Sequence, residues 1–266
     1  MTTVNDFIKL FDLLFPFKLA QQWDNVGLLV GRGEKNVSKV LLTLDVDEKV
    51  AAEASELGCD LIISHHPLMF KSISRLTDQT PEQRTLRILV ENDIALLSAH
   101  TNLDCAEGGL NDFLAEKLKI TNTQIVDICG EVDGKIFGFG RIGILEQGIS
   151  LENFLKLISK NLDTKGIRYC GNLKKTVKRI AVNCGGGGDA LAKCIDMGAD
   201  VFVTGDVKYN PFRDAYENDF AIIDAGHYET ENIVLELFEN VLVKNTAGVT
   251  IYKSKSNVPV IKYFVD

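Results

Sequence analysis

Along this chain, short apolar runs alternate with stretches whose apolar residues recur every three or four positions. The runs at 40–44, 60–63, 94–98, 179–183, 200–203 and 221–223 read as strands buried on both faces. Between them, 47–57 and 189–197 have helical spacing, with Asp47 and Asp189 placed to cap or favour the positive end of each helix. The opening segment sets Phe7, Leu10, Phe11 and Leu14 on one face and predicts a further helix. Strands that alternate with helices in this way predict an α/β fold, with mostly parallel sheets flanked by helices.

The chain also resembles itself. Gly58-Cys59-Asp60-Leu61-Ile62-Ile63-Ser64 matches Gly198-Ala199-Asp200-Val201-Phe202-Val203-Thr204 at an offset of 140, and Val40-Leu41-Leu42 matches Ile180-Ala181-Val182 at the same offset. Ala95-Leu96-Leu97-Ser98-Ala99 matches Ala221-Ile222-Ile223-Asp224-Ala225 at 126, so the first half carries 14 more residues, assigned to the loop around 71–83. We read this as an internal duplication giving two similar lobes, residues 1–124 plus 232–266 and residues 125–231; the alternative is a generic likeness between strand–helix–strand units. The glycine-dotted stretch 121–175 reads as a hairpin-rich part of the second lobe.

Composition narrows the setting. At 266 residues the chain fits one bilobed unit or two docked domains. No stretch approaches the ~18 consecutive apolar residues of a membrane span, and the start, Met-Thr-Thr-Val-Asn-Asp, lacks the basic and apolar pattern of a secretory signal, so a cytoplasmic protein is expected. The six cysteines form no C-x-x-C pair and read as reduced core residues. A net charge of −8 argues against general binding to nucleic-acid backbone, which needs clustered cations.

All four histidines directly follow predicted strands: His65 and His66, His100, and His227. Functional groups gather beyond the carboxyl ends of strands in open α/β sheets. His65 and His66 can face one site only if the chain is already turning, and Pro67 supports such a turn. Asp104 lies one short loop beyond a strand, while His227 and Glu231, four apart at the start of a helix running towards Leu242, share a helical face. Imidazoles with carboxylates suit zinc, manganese or iron, and a bridging Glu231 would hold two ions at the ~3.5–4 Å spacing used by two-metal hydrolases. His100 is either a proton shuttle or a satisfied strand-end histidine. The run Asn183-Cys184-Gly185-Gly186-Gly187-Gly188-Asp189 is either a tight turn or a phosphate cradle, and Asp206 and Lys208 are either catalytic or solvated rim charges.

Five strings, Gln22-Trp23-Asp24-Asn25-Val26-Gly27-Leu28, Ser64-His65-His66-Pro67, His100-Thr101-Asn102-Leu103-Asp104, Thr204-Gly205-Asp206-Val207-Lys208-Tyr209 and Asp224-Ala225-Gly226-His227-Tyr228-Glu229-Thr230-Glu231, occur in this order along nearly the whole chain. They resemble those of the YbgI-type dinuclear metal-centre family, also called GTP cyclohydrolase I type 2, in its short form without the inserted domain. The resemblance implies two divalent metal ions per subunit, one bound by His66 and Asp104, the other by His65 and His227, with Glu231 bridging and His100 lining the site. It further implies a metal site in the cleft between two lobes and a homo-oligomer, a toroidal hexamer. The expected function is a metal-dependent hydrolase of a nucleotide or phosphorylated small molecule, with GTP ring opening the named candidate. A phosphatase or phosphodiesterase, or a non-catalytic ring-forming metal-binding protein, are the alternatives.

Overall fold

The apolar runs become strands whose residues are almost all buried, and the amphipathic stretches become the helices that cover them. A computed structural model describes residues 2–264. In chain order the elements are α1 (Val4–Leu14), β1 (Gly27–Val30), β2 (Lys39–Thr43), α2 (Glu48–Leu57), β3 (Leu61–Ser64), α3 (Pro81–Glu91), β4 (Ala95–Ser98), α4 (Thr101–Cys105) and α5 (Leu110–Lys117). There follow β5 (Thr121–Val132), β6 (Lys135–Ser150), α6 (Leu151–Asn161), β7 (Arg168–Cys170), β8 (Thr176–Val182), α7 (Leu191–Asp196), β9 (Val201–Thr204), α8 (Tyr209–Glu217), β10 (Ala221–Asp224), α9 (His227–Glu231), α10 (Val234–Asn245) and β11 (Thr250–Lys253).

The chain divides into two compact units, Met1–Leu103 with Val234–Val260, and Asp104–Ile233 with Ile261–Asp266. The boundary expected at 124/125 falls inside β5. The first unit holds a five-stranded sheet of order β1-β4-β3-β2-β11, parallel except for β1. Its strands β2 and β3 bury Leu41 and Ile62 against Val50, Ala51 and Ala54 of α2. Helix α1 buries Phe7 and Phe11, with Phe11 against Phe238 of α10 at 5.4 Å. The second unit holds a six-stranded mixed sheet of order β5-β6-β8-β9-β10-β7, in which β8, β9 and β10 are parallel and the other strands antiparallel. The stretch 121–175 opens with the long β5–β6 hairpin.

The duplication is visible in hydrogen bonds. Asp60 Oδ2 accepts from the backbone N–H groups of Ser38 and Lys39 at 2.8 and 3.1 Å; 140 positions later Asp200 Oδ2 accepts from Lys178 and Arg179, both at 2.8 Å. Lys39 Nζ donates to the Leu57 carbonyl at the end of α2, and Arg179 Nε donates to Met197, just past α7. Gly58 and Gly198 both take left-handed φ, +65° and +73°, where a side chain would be strained. At the offset of 126, Asp93 and Asp219 share a positive φ, and Ile94 and Phe220 donate to Leu89 and Ala215. The additional length of the first repeat lies mainly at 65–80, between β3 and α3, where the second repeat has only 205–208.

Two local expectations are corrected. Asp47 caps α2, accepting from Val50 N at 2.9 Å, but Asp189 lies in a 3-10 turn, Gly188–Ala190, and α7 begins after it with no side-chain cap. The helix expected from 227 towards 242 is interrupted after Glu231, so α9 and α10 are separate. The paired aspartates give a direct test: Asp60→Ala and Asp200→Ala should each cost about 1–3 kcal/mol in urea denaturation, because each strips an acceptor from two backbone N–H groups, and the Asn variants, which keep one acceptor oxygen, should cost less.

Candidate metal centre

Strands β3 and β4 run parallel and in register, Ser64 beside Ser98, so the residues after them leave the sheet at the same edge. Ser64 and Ser98 join hydroxyls at 2.7 Å, and Ser64 Oγ donates to the His66 carbonyl at 2.9 Å. That bond curls the chain just past the strand. Both imidazoles consequently reach one side: the His65 and His66 rings stand 5.0 Å apart, and His100 lies 5.1 and 5.4 Å from them. Each of the three offers a ring nitrogen within 4.8 Å of the others.

Each ring is oriented through Nδ1. His65, fully buried, donates Nδ1–H to the Ala99 carbonyl at 2.8 Å; a carbonyl cannot donate, so the lone pair is on Nε2. His66 Nδ1 meets Asp45 Oδ1 at 2.7 Å, and His100 Nδ1 meets Asp24 Oδ1 at 2.9 Å. Strand β1 explains the last pair, because it runs antiparallel to β4 with Gly27 beside Ser98, which brings the residues before Gly27 alongside those after Ser98. Asp24 also accepts from Thr101 N at 3.0 Å. Burial pushes its carboxyl up, but bonds from His100 and Thr101 outweigh burial and hold it down at about 2.

The second unit carries the remaining predicted residues. His227 and Glu231 lie one turn apart on α9, with Nε2–Oε2 at 2.9 Å, and His227 Nδ1 meets Asp206 Oδ2 at 2.8 Å. The Glu231 bond raises the His227 pKa, burial opposes, and the charges of Glu231 and Asp206 bring it to about 9. Asp104 and Glu231 are buried. Cys184 lies between them and donates its thiol to Asp104 Oδ1 at 3.4 Å; burial, then the two carboxylates, push that thiol far up, so it stays protonated and acts as a donor. Asn111 Nδ2 bonds the Asp104 carbonyl and its Oδ1 accepts from Cys184 N.

The glycine run is explained by this packing. Gly185 has φ +61°, and a Cβ there would lie 2.2 Å from Glu231 Oε1. Its N–H donates to Thr230 Oγ1 at 3.0 Å and that of Gly187 to Thr204 Oγ1 at 2.8 Å, so two N–H groups that a phosphate cradle would need are already used. The loop is a close-packed turn against Glu231. All six cysteines are free thiols; five are buried or half-buried as expected, and Cys129 is exposed on β5.

Sequence reasoning paired no acid with its histidine. Asp24 stands in the Trp23-Asp24-Asn25 string without a role; Asp45 stands one strand–helix–strand unit before His66, and Asp206, open between a catalytic group and a solvated rim charge, stands one such unit before His227. Among the described residues no helix is long and apolar enough to cross a membrane. Because the Asp24 pKa is lowered on folding, from 3.8 to about 2, its contribution is full above pH 3.8 and is lost as pH falls through 2. Asp24→Asn in chelator-treated protein should therefore lose on the order of 2 kcal/mol at pH 7, with the gap to wild type narrowing as denaturation is repeated from pH 5 to pH 3.

The Duf34/NIF3 (NGG1p interacting factor 3) family profile matches residues 2–259. The chain is 38% identical over 253 residues to the "GTP cyclohydrolase 1 type 2 homolog" of Clostridium perfringens, covering 95% of this chain and 96% of that one. Among solved structures, a hypothetical protein of Staphylococcus aureus superposes with a TM-score of 0.89 at 30% identity, covering 98% and 99% of the two chains. Protein ybgI, of unknown function by its own description, gives a TM-score of 0.83 at 25% identity, covering 97% and 100%. With a profile match over nearly its whole length and relatives of this similarity, the chain belongs to the Duf34/NIF3 family.

Proposed function

We propose that the protein is a metal-dependent hydrolase of a nucleotide or other phosphorylated small molecule, with two divalent cations held by His65, His66, Asp104, His227 and Glu231. The observation that carries this reading is the orientation of the histidines. His65, His66, His100 and His227 all turn Nδ1 to a carbonyl or carboxylate oxygen, at 2.7–2.9 Å, which fixes each ring and leaves Nε2 as its second nitrogen. A carboxylate or carbonyl behind an imidazole is the arrangement that fixes ring orientation and raises basicity in metal-ligating histidines. The buried carboxylates of Asp104 and Glu231 supply oxygen donors, and with the nearby thiol protonated the set is nitrogen and oxygen, which zinc, manganese and iron all accept.

Cations held by these residues would supply a lowered water pKa and positive charge opposite a substrate oxygen. The chain's own contribution to proton movement is His100, whose Nδ1–H is held by Asp24, leaving Nε2 to take a proton and return it. GTP is the first substrate to test, because the curated relatives carry the name GTP cyclohydrolase 1 type 2 homolog.

Elemental analysis of anaerobically purified protein, followed by formate and phosphate assays on the same sample, tests the reading. Release of formate from GTP supports ring opening, whereas release of phosphate or a nucleoside monophosphate supports phosphoester hydrolysis with the same ligands. Absence of turnover across a broad nucleotide and phosphoester panel, with metal retained, would leave a metal-binding role only. His65→Ala combined with Glu231→Ala should remove most bound metal while circular dichroism is unchanged; two ions still present would remove the ligand assignment.

A further inference from the structure

Two large aromatic side chains beside the imidazole cluster of the first unit stand in water. Trp23 is 62% exposed and Phe70 50% exposed, with ring centroids 6.3 Å apart and planes tilted by 34°. Both lie against His100, at 6.0 and 5.8 Å, edge to face. The chain beside both rings is tied down by hydrogen bonds. Gln21 N bonds Thr101 Oγ1 at 3.0 Å, Asp24 is bound by His100 and Thr101, and Asp24 N closes a turn onto Gln21 O. Trp23 is thus clamped on both sides. Asn25 Nδ2 donates to the Met69 carbonyl at 2.6 Å, which ties the backbone next to Phe70 to the same turn. Buried or half-buried polar bonds hold two apolar faces against solvent, and that arrangement gains nothing in folding.

We propose that Trp23 and Phe70 form a stacking platform for the purine base of a nucleotide, and that this platform selects the substrate. The inference rests on the hydrolase reading above and names the substrate class of that site. A planar ring sandwiched between two others needs centroids about 7 Å apart, twice the carbon contact distance, so at 6.3 Å the base stacks on the exposed face of Trp23, with Phe70 bracing it from the side. Base–aromatic stacking is tolerant of which base is bound, since every base has a π-face. The platform accordingly sets preference for a nucleotide over a base-free sugar phosphate, and His100 touches both the platform and the rings of His65 and His66.

Trp23 is the only tryptophan in the chain, so its emission reports on the platform without labelling. Metal-loaded protein titrated with GTP should show saturable quenching of Trp23, whereas ribose 5-phosphate and inorganic triphosphate should leave it unchanged. Trp23→Ala should weaken GTP binding in calorimetry by about tenfold, Phe70→Ala by less, and Trp23→Phe should restore most of the loss, with metal content equal in all. GTP binding with unaltered emission and an undiminished affinity in Trp23→Ala would overturn the platform while leaving the hydrolase reading intact. Metal-loaded protein that binds triphosphate but not GTP, or neither, would overturn the platform together with its nucleotide substrate.

Discussion

A parallel sheet ends its strands at a common edge, and that constraint organises the chemistry of each unit. In the first unit β3 and β4 finish in register at Ser64 and Ser98, so His65, His66 and His100 cannot avoid one another once the chain curls out of the sheet. In the second, β9 and β10 finish in register at Thr204 and Asp224, which sets Asp206 and His227 side by side in the same manner. No long-range folding event is needed to assemble these groups beyond the pairing of the strands themselves. The hydrophobic effect that buries the strands therefore also positions these side chains.

The two repeats share this scaffold and differ at its tip. The devices below the strand ends are conserved between them: the aspartate that binds two backbone N–H groups, the basic side chain on the helix carbonyl, and the left-handed glycine. Beyond the strand ends the equivalence stops. The position of His65 is taken by Gly205, where a Cβ would lie 2.6 Å from the His227 backbone nitrogen, and the position of His66 by Asp206. One repeat thus presents a histidine pair where the other presents a glycine and a carboxylate. A glycine at 205 is what permits α9 to start close to β9 and lets His227 reach Asp206.

How much of this was legible in the sequence follows from the range of the interactions involved. The strands were legible because both faces are buried, so apolar runs carry their own signal, and the histidines were legible because they follow those runs immediately. The His227–Glu231 pairing was legible because it spans one helical turn. The acids behind the histidines were not, because an aspartate at 24 becomes a partner of His100 only through the antiparallel register of β1 with β4, and nothing in local spacing encodes register. The glycine run was ambiguous for a similar reason: its cause is the volume of Glu231, 46 positions further along. The interruption between α9 and α10 and the non-capping Asp189 are local, yet neither is recorded in helix propensity.

The acids do more than orient rings. A carboxylate behind an imidazole raises the electron density at the opposite nitrogen, and at His227, where carboxylates face both nitrogens, the pKa of the metal-free ring is raised to about 9, so a cation at Nε2 would have to displace that proton. At Asp24 the same interaction appears from the other side, as a carboxyl kept ionised down to about pH 2 despite burial. These pairs cost desolvation, and a fold selected for stability alone would gain by replacing such pairs with apolar packing. In both units these pairs stand just beyond the strand ends, where the sheet stops and the chain turns. In the second unit the buried carboxylates of Asp104 and Glu231 are met by the protonated Cys184 thiol and by His227 respectively, so each is charged oxygen kept out of water with a partner.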